Sequence, residues 1–216
     1  MKNTLIIMLL LSTFSVKVNA NETVSFKKNQ WEVLQYSKIK PNSVNFTNQS
    51  MTIAVNQSAS PVIYRIKSPK IVKEIVLDAD IMGALKLKNT QQGTKGNDDF
   101  SLRIGLVYQG DKRLGFLQKK IAPPWVKKLY SMAPKNVGVS NVEFFGVYQD
   151  KRLANQRKAD SELFIDNFII EQPKNGKIQT TIKVNSNKPV LALWVNSDGD
   201  DTNSAFKVKI NKLVLK

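Results

Sequence analysis

The stretch LRIGLVYQ, residues 102–109, decides how the chain is read. Leu102, Ile104, Leu106 and Tyr108 fall on one side of an extended backbone; Arg103, Gly105, Val107 and Gln109 fall on the other. A period of two marks a strand with one face buried. The same beat returns near the C-terminus, where Phe206, Val208 and Ile210 alternate with Lys207, Lys209 and Asn211. After Asn211 and Lys212 the phase slips to Leu213 and Leu215, which predicts a bulge. Ile75, Leu77, Ala79 and Ile81 alternate against Val76, Asp78 and Asp80. Further strands are predicted at 32–38, 51–56, 62–67, 142–149, 163–170, 178–184 and 190–196. Turn signals separate them, among them Lys40-Pro41-Asn42-Ser43, Pro173-Lys174-Asn175-Gly176 and Ser197-Asp198-Gly199. About ten short strands with little helix predict an all-β fold, an antiparallel, jelly-roll-like β-sandwich. At most one short helix is expected, near 124–132, where Pro123-Pro124 suits a first helical turn.

The first twenty residues read differently. A basic start (Met1-Lys2-Asn3) leads into an apolar run from Leu5 to Phe14, and Val18-Asn19-Ala20 resembles a cleavage site. This is the pattern of a secretory signal peptide, too short to span a bilayer. Cleavage is expected after Ala20, leaving residues 21–216 as a single periplasmic or secreted β-sandwich domain with no transmembrane segment. The chain of 216 residues has 33 Lys+Arg against 17 Asp+Glu, a formal charge of +16. Only five of the basic residues are Arg (Arg65, Arg103, Arg113, Arg152 and Arg157), so the charge is mostly the solvated, flexible kind. It suits anionic polymers or membrane surfaces; nucleic acid is not an expected partner of an exported chain. Cys and His are both absent, which excludes thiol nucleophiles, His bases, disulfides and the usual zinc or copper sites.

Four stretches carry a resemblance: WEVLQYS (31–37), SASPVIYRI (58–66), GNDDFSLRIGLVY (96–108) and PVLALWVNSDGDDTNSAFKVKI (189–210). Together they resemble a family of uncharacterised exported bacterial proteins carrying a domain of unknown function. The resemblance implies a sandwich of the kind found in carbohydrate-binding modules. It implies no activity and no catalytic residue.

Two turns concentrate carboxylates: Asp98 and Asp99 in one, Asp198, Asp200 and Asp201 in the other. Like charges this close need a reason. A structural calcium ion held by Asp98, Asp99, Asp198, Asp200 and Asp201 is one, since Ca²⁺ takes six to eight oxygens. A second is glycoside hydrolysis by Asp98 or Asp99 with Asp200 or Asp201. A third is that Asp in turns simply accepts from nearby backbone N–H groups. Among the aromatic residues, Trp31, Trp125 and Trp194 with Tyr36, Tyr64, Tyr108, Tyr130 and Tyr148 could offer flat faces to sugar rings. Trp194 sits in an apolar run and reads as core. Trp125 stands beside Lys127 and Lys128, either as a ligand contact or as a staple. GLVYQGDKRLG (105–115) is echoed by GVYQDKRLA (146–154), which either ends two strands alike or sets Tyr108, Tyr148, Arg113 and Arg152 on one anion-facing rim. The function expected is non-catalytic binding of a carbohydrate or an anionic cell-envelope polymer. The alternatives are a glycan-acting enzyme with paired Asp residues and a structural envelope protein that docks a protein partner.

Overall fold

A computed structural model describes residues 21–159 and 161–216. The signal-peptide expectation lies outside them. The strands run β1 (Glu22–Thr23), β2 (Trp31–Val33), β3 (Ser43–Phe46), β4 (Met51–Asn56), β5 (Ala59–Lys70), β6 (Glu74–Met82) and β7 (Arg103–Gly110). Two helices follow, α1 (Phe116–Ile121) and α2 (Pro124–Ser131). Then come β8 (Gly138–Tyr148), β9 (Arg157–Ala159), β10 (Phe164–Glu171), β11 (Lys177–Lys183), β12 (Val190–Asp198) and β13 (Ala205–Leu215). They form two stacked sheets. One has the order β11-β6-β13-β4-β3, with β1 paired to β13; the other has the order β2-β5-β12-β7-β8-β10-β9. The fold is the β-sandwich the alternation predicts, and the bulge falls between Ile210 and Lys212.

Two details depart from the simplest expectation. Strand β10 runs parallel to β8, because the connection 149–163 is long enough to carry the chain back to the starting end. The helix expected near 124–132 is preceded by the extra six-residue turn of α1. No helix among the described residues is long and apolar enough to cross a membrane.

The sheets meet over Ile53, Ile75, Leu77, Leu106, Leu193, Val208 and Leu213, all buried. The seven-stranded sheet also buries its other face. There Ile63, Val107, Val142, Phe144 and Trp194 pack under Leu129 and Met132 of the α2 segment. That is why every residue of β12 is buried and why its sequence shows no alternation. An eight-residue helix is marginal alone; α2 is held by Leu129, whose burial contributes about 1.5–3 kcal/mol.

The long connection 83–102 is ordered by side-chain bonds. Gln92 accepts from the amides of Gln149 and Asp150 and donates to the Asp99 carbonyl. Asp150 accepts from the Gln92 amide and from the backbone and side chain of Arg152. Arg152 first, then these amides, hold the Asp150 carboxyl down at about 2. Its folded pKa is therefore below the unfolded value, so its stabilisation is present above pH ~4 and lost as pH falls towards ~2. Urea melts of wild type and Asp150→Asn should converge in that window. A difference that stays constant from pH 5 to pH 2.5 would contradict it.

Candidate functional site

The uncovered part of the second sheet's outer face is a pocket of about 260 Å³. It is lined by Tyr36, Asp98, Arg103, Trp125, Phe144, Phe164, Asp166, Trp194 and Asn196. Strand register explains the floor. Trp194 of β12 pairs with Gly105 of β7, and Gly105 pairs with Phe144 of β8. Gly105 lets the Phe144 ring lie over β7: a Cβ there would come within 2.6 Å of that ring. One row along, Asn196 pairs with Arg103. Asp166 pairs with Phe144 from the far side.

The walls are aromatic. Trp125 lies 6.0 Å from Trp194, edge-on at 80°, and 6.0 Å from Phe164. Tyr36 stands 6.1 Å from Trp125, also edge-on. Phe144 and Trp194 meet at 6.1 Å and 86°. These separations suit rings that meet edge to face.

A charged group sits beneath. Arg103 lies between the Phe100 and Phe144 rings, 4.8 and 5.2 Å from their centroids. Its Nη2 donates to Asp198 Oδ2 at 2.7 Å and its Nη1 to Asp166 Oδ1 at 3.5 Å. Asp198 also accepts from Asn196 Nδ2 at 2.8 Å and from the Phe100 amide at 2.5 Å. Burial pushes the Asp198 carboxyl up to about 7; Arg103 and the Phe100 amide oppose the rise, and Asp99 and Asp98 add to it. Burial would lower Arg103, but Asp198, Asp166 and Asp98 hold it above its ordinary value. Burial likewise raises the Tyr36 hydroxyl, with Arg103 opposing. Three buried polar atoms of the lining have no hydrogen-bond partner among the described residues: Arg103 Nε, Trp194 Nε1 and Asn196 Oδ1. Unpaired buried groups are costly, which makes them candidates for ligand contact. A larger open groove of about 680 Å³, by Gly83, Gln149 and residues 172–176, has no aromatic residue in its lining.

The two acidic turns do meet at one end of the sandwich, though as acceptors of fold contacts. Asp99 accepts from the Thr202 amide at 2.7 Å, the Thr202 hydroxyl at 2.5 Å and the Asp201 amide at 3.3 Å. Asp98 and Asp201 are exposed. Asp200 is raised by burial and by Asp99. No group of three or more Asp or Glu among the described residues stands where it could hold a metal ion.

Of the predicted ligand contacts, only Trp125 lies in this pocket. Lys128 pairs with Glu32, and Lys127 donates to the Lys120 carbonyl at 3.2 Å. Tyr108 is a correction: it is buried between the sheets and donates to Glu143 at 3.1 Å. Tyr148 is another, buried with Phe100, Leu153 and Phe168. The shared basic rim also fails. Strands β7 and β8 are antiparallel neighbours, so the turn carrying Arg113 and the one carrying Arg152 leave from opposite ends. Arg113 donates to the Asn136 carbonyl and Arg152 pairs with Asp150. Sequence reasoning passed over Arg103, Phe144, Phe164, Asp166 and Asn196 as site residues. The available signal was apolar residues on both phases of 142–148 and 190–195, which marks a sheet face covered twice.

No family model matches the chain, and no curated protein does. Solved structures share the sandwich only distantly. The xyloglucanase domain of NopAA, a type three effector from Sinorhizobium fredii in complex with cellobiose, is 6% identical over 90% of this chain and 97% of that one, at a TM-score of 0.47. The family 11 carbohydrate-binding module of a cellulosomal cellulase of Clostridium thermocellum is 7% identical over 91% and 94%, at 0.41. The xylan-binding module CBM15 is 12% identical over 91% and 95%, at 0.39.

Proposed function

We propose that this chain is an exported binding protein that holds a short, uncharged stretch of carbohydrate in the pocket between Trp125 and Asn196. The observation that carries the reading is an aromatic wall facing polar atoms that lack partners. Sugar rings offer apolar C–H faces to aromatic rings and hydroxyls to polar groups, and small-ligand sites combine apolar lining with a few fixed polar groups. Arg103 Nε, Trp194 Nε1 and Asn196 Oδ1 supply two donors and one acceptor. The volume, about 260 Å³, falls just below the ~300–1,000 Å³ of drug-sized sites, which suits one or two sugar rings.

Charge selects between the ligand classes. The lining holds one cation, Arg103, against Asp98 and Asp166, with Asp198 behind them. An anionic polymer would meet repulsion here despite the +16 of the whole chain. Asp99, one of the acids of the hydrolytic alternative, spends its oxygens on fold contacts, which supports binding over hydrolysis. Export, to the periplasm or beyond, rests on the apolar run that follows Lys2.

Calorimetric titration against neutral and acidic oligosaccharides, at low and high salt, tests this. A neutral ligand should bind with little salt dependence, and Trp125→Ala should weaken it at least tenfold, about 1.4 kcal/mol. Binding confined to acidic glycans and abolished by salt, or indifferent to Trp125→Ala, would sink the reading.

A further inference from the structure

Helix α1 is exposed along its whole length, although half of it is apolar. Phe116, Leu117 and Ile121 are 78%, 67% and 75% accessible, and none of its residues is buried. At ~100° per residue the three apolar side chains span an arc of about 140°, with Lys120 inside it. Lys120 Nζ lies 4.5 Å from the Phe116 ring, its stem along the apolar surface and its charge outward. A clustered apolar protrusion of this kind marks an interaction site; scattered surface residues do not.

Its surroundings define the partner's chemistry. Between Asp111 and Glu143 the sequence has no acidic residue, but it has Lys112, Arg113, Lys119, Lys120, Lys127, Lys128 and Lys135. Lys112 and Lys128 are paired with Glu162 and Glu32. The other five show no ion pair among the described residues. Beside α1 lies a cavity of about 430 Å³ whose lining includes Arg113, Lys119 and Lys127 with Leu114, Tyr130 and Val137, and no acid. Greasy side chains ringed by cations match a surface that is apolar beneath an anionic layer.

We propose that the α1 end of the protein docks reversibly on an anionic phospholipid membrane, with Phe116, Leu117 and Ile121 entering the headgroup boundary and the basic cavity facing the phosphates. Short amphipathic segments bind in this way through buried apolar area and attraction to acidic lipid together. The fold orients the docked molecule. The segment 111–137 leaves β7 at Gly110 and returns to β8 at Gly138, the end opposite Arg103 and Gly146. From there α2 runs back over the sheet face, so that Trp125 reaches the pocket lined by Asp98 and Arg103.

The chain has no Cys, so one introduced thiol carries a unique label. A solvent-sensitive fluorophore on Leu117→Cys in the full chain reads local insertion, whatever the apolar N-terminus does. The same label on exposed Lys95→Cys, in the loop carrying Asp98, serves as the remote control. On phosphatidylglycerol-containing vesicles the Leu117→Cys label should shift to the blue, less so at high salt. It should not shift on phosphatidylcholine alone, and the Lys95→Cys label should stay still. Lys119→Gln with Lys120→Gln should weaken partition roughly 25-fold, at about fivefold per cation. Phe116→Ser with Ile121→Ser should abolish it at an unchanged melting midpoint. An unshifted Leu117→Cys label, equal shifts on both lipids or both labels, or a shift that follows protein concentration without vesicles would overturn the proposal, the last in favour of a contact between copies.

Discussion

Replacing Arg103 by Met is expected to destabilise the protein by roughly 3–5 kcal/mol at neutral pH, the cost of leaving a buried charge without its partner. Met keeps much of the stem that packs between Phe100 and Phe144. What disappears is the cation that Asp198 and Asp166 share. The deficit should depend on pH with a determinate sign. Burial already raises the Asp198 carboxyl to about 7 with Arg103 opposing, and without Arg103 only the Phe100 amide still opposes the rise. A carboxyl whose folded pKa exceeds its unfolded value of about 3.9 favours folding where it is protonated, and that stability is lost as pH rises towards the folded pKa. The variant should therefore lie closest to wild type near pH 4.5 and fall furthest behind near pH 7.5 and above. Urea unfolding at the two pH values measures this. Equal deficits at both would mean that packing, and not the buried carboxylates, is what Arg103 supplies.

The second large effect lies at the acidic turns. Asp99→Ala removes an acceptor that is 1% accessible and leaves the Thr202 amide and hydroxyl short of it. The Thr202 hydroxyl keeps Ser204 Oγ at 2.5 Å, so the loss should be about 1–3 kcal/mol, that of one stranded buried amide. Asp99→Asn keeps one oxygen and should fall between. Melting midpoints with added Ca²⁺ and with chelator should coincide for wild type, because the Asp99 and Asp198 oxygens already serve the fold. A midpoint that climbs with Ca²⁺ would mean a cation bound to the native state.

These residues show how much the sequence disclosed. Leu102, Ile104 and Leu106 announced a strand with a buried face, and the slip after Asn211 announced a bulge. Both follow from local periodicity, which a single strand carries in itself. Tyr108 shares the phase of Leu102, so the same alternation already pointed it inward, against its reading as a ligand contact. The echo between residues 105–115 and 146–154 misled because similar turns on antiparallel neighbours go to opposite ends. The pocket was less legible still. Arg103, Asp166 and Asn196 are ordinary polar residues on three strands far apart in the chain. Only the register of β7, β8, β10 and β12 brings them onto one face. Trp125 was visible because a Trp after two prolines is conspicuous; its neighbours Phe144 and Phe164 stand in strand segments with nothing to mark them out.

The pairing of Glu22 with Leu215 sets the first and last strands side by side in the six-stranded layer. The pocket opens on the far side of the other layer. A tether or tag joined after Leu215 and Lys216 would thus emerge behind the pocket, and immobilisation through it would leave the pocket presented to solution.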